Sequence, residues 1–387
     1  MIDLKKIYKL FIEETNLIIA DKSVLLTVLV APLLYIFFLG SIYLNKDADH
    51  IKLAIVDYDN TAVTKQFKRL LQSNPTIEYV GDLPGYADAA DKMFKFEIQG
   101  FLIFPEGFEK DLKQLNGADV KMYLNTTQFL PSNALNKAVQ KVLMTISAGI
   151  RIKAFEAQGL DPKHAYEIAL PLNAEVKPIS NPTNNYGDFL LPGLFLLILQ
   201  QTLLIGLGES ITHNIEHNKF ASMLSNNGIF NVISGKSLFY VILYFAYFLL
   251  LYTYIFDFFQ LNLNGEIFAL TTISLLFFAT VLMFTYLVAS FFKSPLIYME
   301  VMAFTSYPVF LTTGYSWPVS AMPVFIQWIS YILPTTPAMN ALIKITQLNA
   351  GLKDVSFEFY NLLVLLVLSS IAVFSRYKYL KNNANNN

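Results

Sequence analysis

The chain has 387 residues, of which 54% are hydrophobic and 15% charged. Soluble domains have about 45–50% apolar and about 25% charged residues, so this composition indicates surface exposed to a bilayer. The net charge of −1 offers no basic field for nucleic acid, and the lack of cysteine excludes disulfides and thiolate metal sites. The four histidines are scattered, and the sequence predicts no catalytic, cofactor-binding or metal site.

Residues 1–22 predict an amphipathic helix. Leu4, Ile7, Tyr8 and Phe11 recur at helical spacing, with the lysines and glutamates of this segment off that face. Such a face beside a membrane segment favours a helix lying in the membrane interface, and a core-facing helix is the alternative.

Residues 23–44 contain the first stretch long enough to cross a bilayer. Val24–Leu44 is apolar and uncharged, and about 20 such residues span the hydrocarbon. A signal peptide is the rival interpretation. The run is longer than a typical signal-peptide core and no small-residue cleavage site follows, so we predict a retained span.

Residues 45–187 hold most of the Lys, Asp and Glu residues and predict a water-exposed domain. Asp57 and Asp59 follow its first strand-like string and are interpreted as turn and helix-capping residues rather than metal ligands. Strand-like and helical strings alternate, which favours an α/β layer. The main strings are Leu53–Val56, Ile77–Val80, Gly100–Phe104, Val120–Leu124 and a long helix over Ser132–Gln158.

Residues 188–376 predict five further spans, which gives an α-helical polytopic membrane protein with six spans and an inserted external α/β domain. Segment 315–351, here called the gate hairpin, is apolar but interrupted by prolines. Each proline removes a backbone donor that lipid cannot replace, so short re-entrant or interfacial helices are expected. The five spans are Phe189–Gly208, Leu238–Phe256, Ile267–Phe292, Leu296–Thr313 and Phe359–Phe374.

The distribution of Lys and Arg predicts the orientation, because these residues favour cytoplasmic segments. They occur in residues 1–22, in the loop 209–236 and around the tail 377–387. An even number of spans places all these segments on one side. Both termini and the loop are therefore expected in the cytoplasm, at the cell (inner) membrane, with residues 45–187 and the gate hairpin outside.

Several strings resemble the ABC-2 type permease family, in the branch with a large external domain after the first span. Their shared order over nearly the whole chain is more specific than any one of them. Two departures are a coupling segment Ile215–Leu224 with one acidic residue and no Gly-Thr pair, and Lys344 in place of the usual Arg. The strings are Leu53–Asn60, Gly100–Phe108, Asn181-Pro182, Pro192-Gly193, Gly235-Lys236, Pro318, Met322-Pro323 and Pro334.

The resemblance implies the membrane subunit of an ATP-binding-cassette exporter for an apolar or amphipathic substrate. ATP and Mg would bind a separate cytoplasmic ATPase, since Gly228 and Gly235-Lys236 have the wrong spacing for a phosphate-binding loop. A second permease, identical or paralogous, is an expected partner, and a periplasmic adaptor is left open. The alternative is a non-transporting membrane anchor whose external domain acts as receptor or scaffold.

Four groups of residues are candidate functional sites. The loop 209–236 is expected to couple to the ATPase, or else to be a solvated connector, and its candidates are Glu209, Glu216, Phe220, Leu224, Gly235 and Lys236. The gate-hairpin candidates are Pro318, Met322, Pro323, Pro334 and Lys344. Those at the approach to the second span are Asn181, Pro182, Pro192 and Gly193. Candidates for a substrate pathway are Gln200, Gln201 and Glu300, although the sequence favours a Glu300 that snorkels to the cytoplasmic interface.

Overall fold

The computed structural model describes residues 2–44, 49–114, 117–170, 180–181 and 186–386, with side chains to residue 382. The chain divides into a helical unit of residues 1–44 and 178–387 and an α/β unit of residues 45–177.

The boundary between these units differs from the predicted one at residue 187. Tyr186 begins a long helix, and its ring packs on that of Tyr43 at 5.9 Å, so it belongs to the helical unit.

Two helical segments meet at Asp21 near the start of the chain. Asp21 ends the first helix in an extended conformation, and its carboxylate accepts from the Ser23 N–H at 2.9 Å to cap the second. A π-helical turn, Leu26–Val30, continues the second segment. The break therefore falls where the sequence separates the amphipathic helix from the first span. The helices are α1 (Leu4–Ala20), α2 (Lys22–Leu25) and α3 (Ala31–Ile42).

The α/β unit is built on a four-stranded sheet with strand order β2-β1-β3-β4. Strands β1, β2 and β3 are parallel, and β4 is antiparallel to β3. Strands and helices alternate along the chain, as the sequence predicts. The elements are β1 (Ile51–Asp57), α4 (Ala62–Gln72), β2 (Ile77–Asp82), α5 (Tyr86–Phe94), β3 (Gly100–Phe104), α6 (Phe108–Lys113), β4 (Lys121–Leu124), α7 (Phe129–Ala157) and α8 (Pro162–Ala169).

Helix α7, which the sequence predicts, covers one face of this sheet through an apolar stripe at helical spacing. Leu135, Val139 and Ile146 are buried against the strand residues Leu53 and Leu102. The opposite face has a smaller core under α5. The unit therefore has its own hydrophobic interior.

Asp57 forms the predicted turn, whereas Asp59 caps α6 rather than the helix that follows it, α4, whose cap is Thr61. The Asp57 carboxylate accepts from the Asn60 N–H at 2.8 Å. The Asp59 carboxylate accepts from the N–H groups of Gly107 and Glu109 at 2.9 and 3.0 Å, at the start of α6.

The helical unit continues with nine helices in the described residues. Five segments are long and apolar enough to cross a membrane: Lys22–Ile42, Tyr186–Glu216, Ile229–Phe258, Ile267–Ala289 and Ser356–Asn382. The predicted span Leu296–Thr313 forms α14 but is not among them. The helices are α9 (Tyr186–Glu216), α10 (Lys219–Asn227), α11 (Ile229–Leu250), α12 (Phe256–Phe258), α13 (Ile267–Ala289), α14 (Pro295–Thr312), α15 (Val324–Ile332), α16 (Thr335–Leu348) and α17 (Ser356–Asn386).

The predicted loop 209–236 and tail 377–387 differ from the structure. Glu209 and Glu216 lie in α9, whereas Gly235 and Lys236 lie in α11. The tail continues α17, in which Tyr377 is fully buried. The charged and polar residues of these segments indicate exposure to solvent. In the structure, however, both segments are largely helical and pack against other helices of the bundle.

Contacts define two ends of the bundle. At one end the ring of Phe220 in α10 packs on Tyr377 of α17 at 5.1 Å, and the Asp3 N–H donates to Asn231 of α11 at 3.1 Å. At the other end Gln347 of α16 donates to the Asp188 carbonyl at 3.2 Å. Helix α10 and both chain termini therefore share one end, and the gate hairpin lies at the opposite end of α9.

Candidate functional site

A buried ion pair joins α1 to α11. Glu14 and Lys236 form a salt bridge, and their exposed fractions are 2% and 3%. Lys236 also donates to the Ser210 hydroxyl of α9 at 2.8 Å, and Tyr240 donates its hydroxyl to Glu14 at 3.2 Å. Both charges are withdrawn from water, so each stabilises the other. These four residues, called the helix-linking cluster below, connect α1, α9 and α11.

Glu14 is a functional candidate that the sequence analysis missed, because it was placed on the polar side of α1. A signal was present, since Leu10 and Ile18 lie one turn before and after it on the same face. Both are buried, whereas Leu4 and Tyr8 of the predicted apolar face are 78% and 64% exposed. The helix packs on the bundle through a face that contains a charge.

Gly235 permits the close approach of α1 and α11. A methyl group at this position would lie 2.6 Å from Leu10 Cβ and 2.9 Å from the Ile7 carbonyl oxygen. These separations are shorter than van der Waals contact, so a larger residue would push the two helices apart. The Gly235-Lys236 pair therefore places a close helix contact next to the buried ion pair.

Helix α10 presents a mixed surface to solvent. The predicted coupling residues Phe220 and Leu224 are 2% and 0% exposed and anchor α10 to the bundle. Their side chains are therefore directed into the bundle rather than toward solvent, and coupling of these residues to an ATPase stays a prediction. The exposed residues in and beside this helix include Glu216, Lys219 and Ser222.

A second constellation lies where the gate hairpin meets α9. The Tyr315 hydroxyl donates to the Phe189 carbonyl and accepts from the Gly193 N–H at 3.2 Å. These are the groups that an uninterrupted helix would pair with each other across one turn. Pro192 lies between them and lacks an N–H. Tyr315, which the sequence analysis did not select, is therefore inserted into the backbone of α9.

The pathway candidates on α9 are buried rather than lining an open channel. Gln200 accepts from the Thr335 hydroxyl of α16 at 2.6 Å. Gln201 is 8% exposed, and its side-chain oxygen has no hydrogen-bond partner among the described residues. The gate hairpin therefore contacts α9 at the Gln200 level as well as at Gly193.

The hairpin prolines precede or begin short helices, as predicted. Pro318 precedes a 3₁₀ turn, Pro323 precedes α15, and Pro334 precedes α16, positions where a missing N–H removes no helical hydrogen bond. Met322 lies just before Pro323. Lys344 forms an ion pair with Glu358 of α17 at 2.7 Å, which anchors α16 to the bundle.

Glu300 lies on an outward face of α14. It is exposed together with Phe304 and Tyr307, whose exposed fractions are 81% and 68%. The structure does not bring Glu300 to Gln200 and Gln201, which are buried. Of the other approach residues, Asn181 has a positive φ of 48°, and Pro182 lies outside the described residues.

The histidine pattern corrects the prediction that no group of metal-ligand residues exists. His213, Glu216 and His217 place their ligand atoms within 4.8 Å of one another at the end of α9. In the sequence these residues have the spacing His-x-x-Glu-His, which places all three on one face of a helix. That spacing could have revealed the group.

The fold and these contacts define a multi-pass helical membrane protein. The sequence profile of ABC-2 family transporter proteins matches residues 22–375, so the chain belongs to that family and the predicted resemblance is confirmed. A similar protein is the linearmycin resistance permease protein LnrN of Bacillus subtilis (strain 168). It is 22% identical over 369 residues, which cover 91% of this chain and 94% of LnrN.

Proposed function

We propose that the chain is the permease subunit of an exporter, driven by ATP that a separate cytoplasmic ATPase with bound Mg hydrolyses. Membership of the ABC-2 transporter family over residues 22–375 is the observation that carries this proposal. The cargo is an apolar or amphipathic compound, and the resistance role named for LnrN favours one that harms the cell.

The environment of Lys236 supports a nucleotide site on another chain. A phosphate-binding lysine must reach a nucleotide from a glycine-rich loop. Lys236 instead lies inside α11, where Glu14 and Ser210 occupy its ammonium group. No nucleotide chemistry is therefore assigned to this segment.

Helix α10 is proposed as the surface that receives the ATPase. Lys219 and Ser222 are exposed on it, and its buried Phe220 contacts Tyr377 of α17. A displacement of α10 would thus reach α17 directly and the helix-linking cluster through α9. This end of the bundle is proposed to face the cytoplasm because the lysines of α1, Lys219 and Arg376 concentrate there.

Helix α14 is proposed as the sixth crossing, which leaves the gate hairpin and the α/β unit outside. The ring of Tyr298 lies against Gly208, and that of Tyr315, just beyond α14, lies against Gly193, so the two helices run antiparallel. Those glycines are about 22 Å apart along α9 at roughly 1.5 Å rise per residue. That distance covers most of a hydrocarbon core about 30 Å thick.

A second permease subunit is proposed to cover the exposed face of α14. Glu300, Phe304 and Tyr307 lie on this face. An ionisable group within a membrane helix normally faces protein or water rather than lipid. Contact with a like or paralogous permease would remove Glu300 from lipid and place substrate near the shared interface.

The test is co-purification of the tagged chain with an ATPase, followed by measurement of ATP hydrolysis. Lys219→Glu combined with Ser222→Glu reverses and adds charge on α10 without altering its buried side. We expect loss of the recovered ATPase and of its activity. Lys65→Glu, an exposed change in the α/β unit, is the matched control and should leave recovery unchanged.

Recovery of the intact chain without any ATPase, from membranes that retain other complexes, would contradict the exporter. It would return the anchor function to consideration.

A further inference from the structure

We propose that His213, Glu216 and His217 form a binding site for a divalent transition metal ion of the zinc class. Imidazole nitrogens and a carboxylate oxygen are ligands that Zn²⁺, Ni²⁺ and Cu²⁺ prefer. The site lies at the C-terminal end of α9, about one turn beyond Ser210 of the helix-linking cluster and at the opposite end of α9 from the gate hairpin. It is independent of the proposed transport function.

The helix brings the three side chains together. Residues three and four positions apart lie on one helical face, and the ligand atoms of all three come within 4.8 Å of one another. The two imidazole rings have centroids 4.3 Å apart. In a tetrahedral site with metal–ligand bonds of about 2.05 Å, ligand atoms are roughly 3.3 Å apart. Glu216 and His217 are exposed, so their side chains have room to rotate toward this spacing.

One histidine is already oriented as a metal ligand. His217 donates its Nδ1–H to the His213 carbonyl oxygen at 2.9 Å, since a carbonyl can only accept. This bond fixes the tautomer and leaves Nε2 with a free lone pair. Metal-bound histidines in proteins commonly use the same arrangement, in which the second ring nitrogen donates to a backbone carbonyl.

The position in the helix also favours a cation. The C-terminal end of a helix carries partial negative charge, and the Glu216 carboxylate adds a full one. Three protein ligands leave one tetrahedral position for water or for a group from a partner. A bound ion would therefore brace the last turn of α9, immediately before α10.

The experiment titrates the metal-stripped full chain in detergent with Zn²⁺, measured by competition with a chromogenic chelator. The purification tag must contain no histidine. We expect one equivalent bound per chain, with affinity reduced at least about tenfold in His213→Gln and in His217→Gln, since even outer-shell changes cost this much. His164→Gln, in α8 of the other unit, is the histidine control and should bind as the unaltered chain does.

Two results would overturn the site. One is Zn²⁺ affinity unchanged in the His213→Gln/His217→Gln chain, and the other is no saturable binding below about 100 μM, a dissociation constant equivalent to roughly −5.5 kcal/mol. Gel filtration shows whether each variant remains folded. Substitution of Co²⁺ gives a second readout, since its visible absorption band should be lost in the same variants that lose Zn²⁺.

Discussion

Glu14 and Lys236 are 222 positions apart in the sequence and form a buried ion pair in the helical unit. Removing one partner leaves the other charged in an apolar environment, which costs about 3–5 kcal/mol for buried pairs. We therefore expect Glu14→Gln and Lys236→Met each to lower the unfolding temperature of the purified protein. Protease sensitivity of α1 should rise in parallel.

The double variant Glu14→Leu/Lys236→Met provides the control for this prediction. Replacing both charges by apolar groups removes the unpaired charge, so most of the lost stability should return. If each single change cost less than about 1 kcal/mol, the pair would behave as a solvated surface pair and the helix-linking cluster would carry no stability.

Gly235→Val should displace α1 from α11 without altering any charge. The added side chain would occupy the space of Leu10 Cβ and the Ile7 carbonyl, and overpacking typically costs about 1–3 kcal/mol. Lys6 Nζ donates to the backbone carbonyl oxygen of Asn226 at 2.9 Å. Cysteines at these two positions, joined by a thiol crosslinker about as long as a lysine side chain, would therefore report the displacement. Gly149→Val in α7 is the control, because a methyl there meets no atom within 4 Å.

The sequence identified elements through local periodicity, and the stripe of α7 and the alternation of the α/β unit follow from it. It misplaced residues whose roles depend on distant partners. Lys236 appeared solvated because nothing local shows that Glu14 neutralises it. Tyr315 appeared as an ordinary hairpin aromatic because its hydroxyl acts on the backbone of a helix 122 positions away. Phe220 looked like a docking residue because its partner, Tyr377, lies in the last helix.

Tyr315→Phe should loosen the start of α9 while preserving the aromatic packing on Phe189. The ring remains, but the Gly193 N–H and the Phe189 carbonyl lose their shared hydroxyl. An unsatisfied buried group costs about 1–3 kcal/mol, so amide exchange at Gly193 should accelerate by roughly tenfold or more. Unchanged exchange would mean that the two backbone groups pair directly once the hydroxyl is gone. Tyr360→Phe, at an exposed position of α17, is the matched control.

Helix α14 can be tested as a crossing because the chain contains no cysteine. Lys293→Cys and Ser320→Cys place single exposed thiols just before and just after it. In intact cells a membrane-impermeant thiol reagent should label position 320 and leave position 293 unlabelled until the cells are opened. The same result at both positions would contradict a crossing. If position 320, like position 293, stays unlabelled until the cells are opened, the number of spans is five.

The α/β unit should lose stability in acid through Asp57. Burial alone would raise the pKa of this carboxyl, but its hydrogen bond and ion pair with Lys68, together with the Asn60 N–H, hold the pKa below its usual range. A carboxyl with a depressed pKa in the folded state stabilises the fold above its unfolded pKa of about 3.9 and loses that contribution as pH falls through the folded value. Lys68 behaves in the opposite way. Burial alone would lower its pKa, but its interactions with Asp57 and Asp82 raise the pKa above its usual value. The contribution of Lys68 to stability is therefore lost only at strongly basic pH.

Lys68→Met tests this pair in the full chain. Lys68 lies 2.6 Å from Asp57, and their side chains are 13% and 4% exposed, so its removal leaves Asp57 unpaired and should cost about 3 kcal/mol near neutral pH. Hydrogen exchange of the β1 amides is the measurement, since β1 lies inside the sheet. The destabilisation by Lys68→Met should shrink as Asp57 becomes protonated in acid. Lys65→Met, at an exposed position of the same helix, is the control and should change the exchange rates little at any pH. A cost for Lys68→Met that stays constant as pH falls through the Asp57 titration would show that the stem of Lys68, rather than its charge, stabilises the unit.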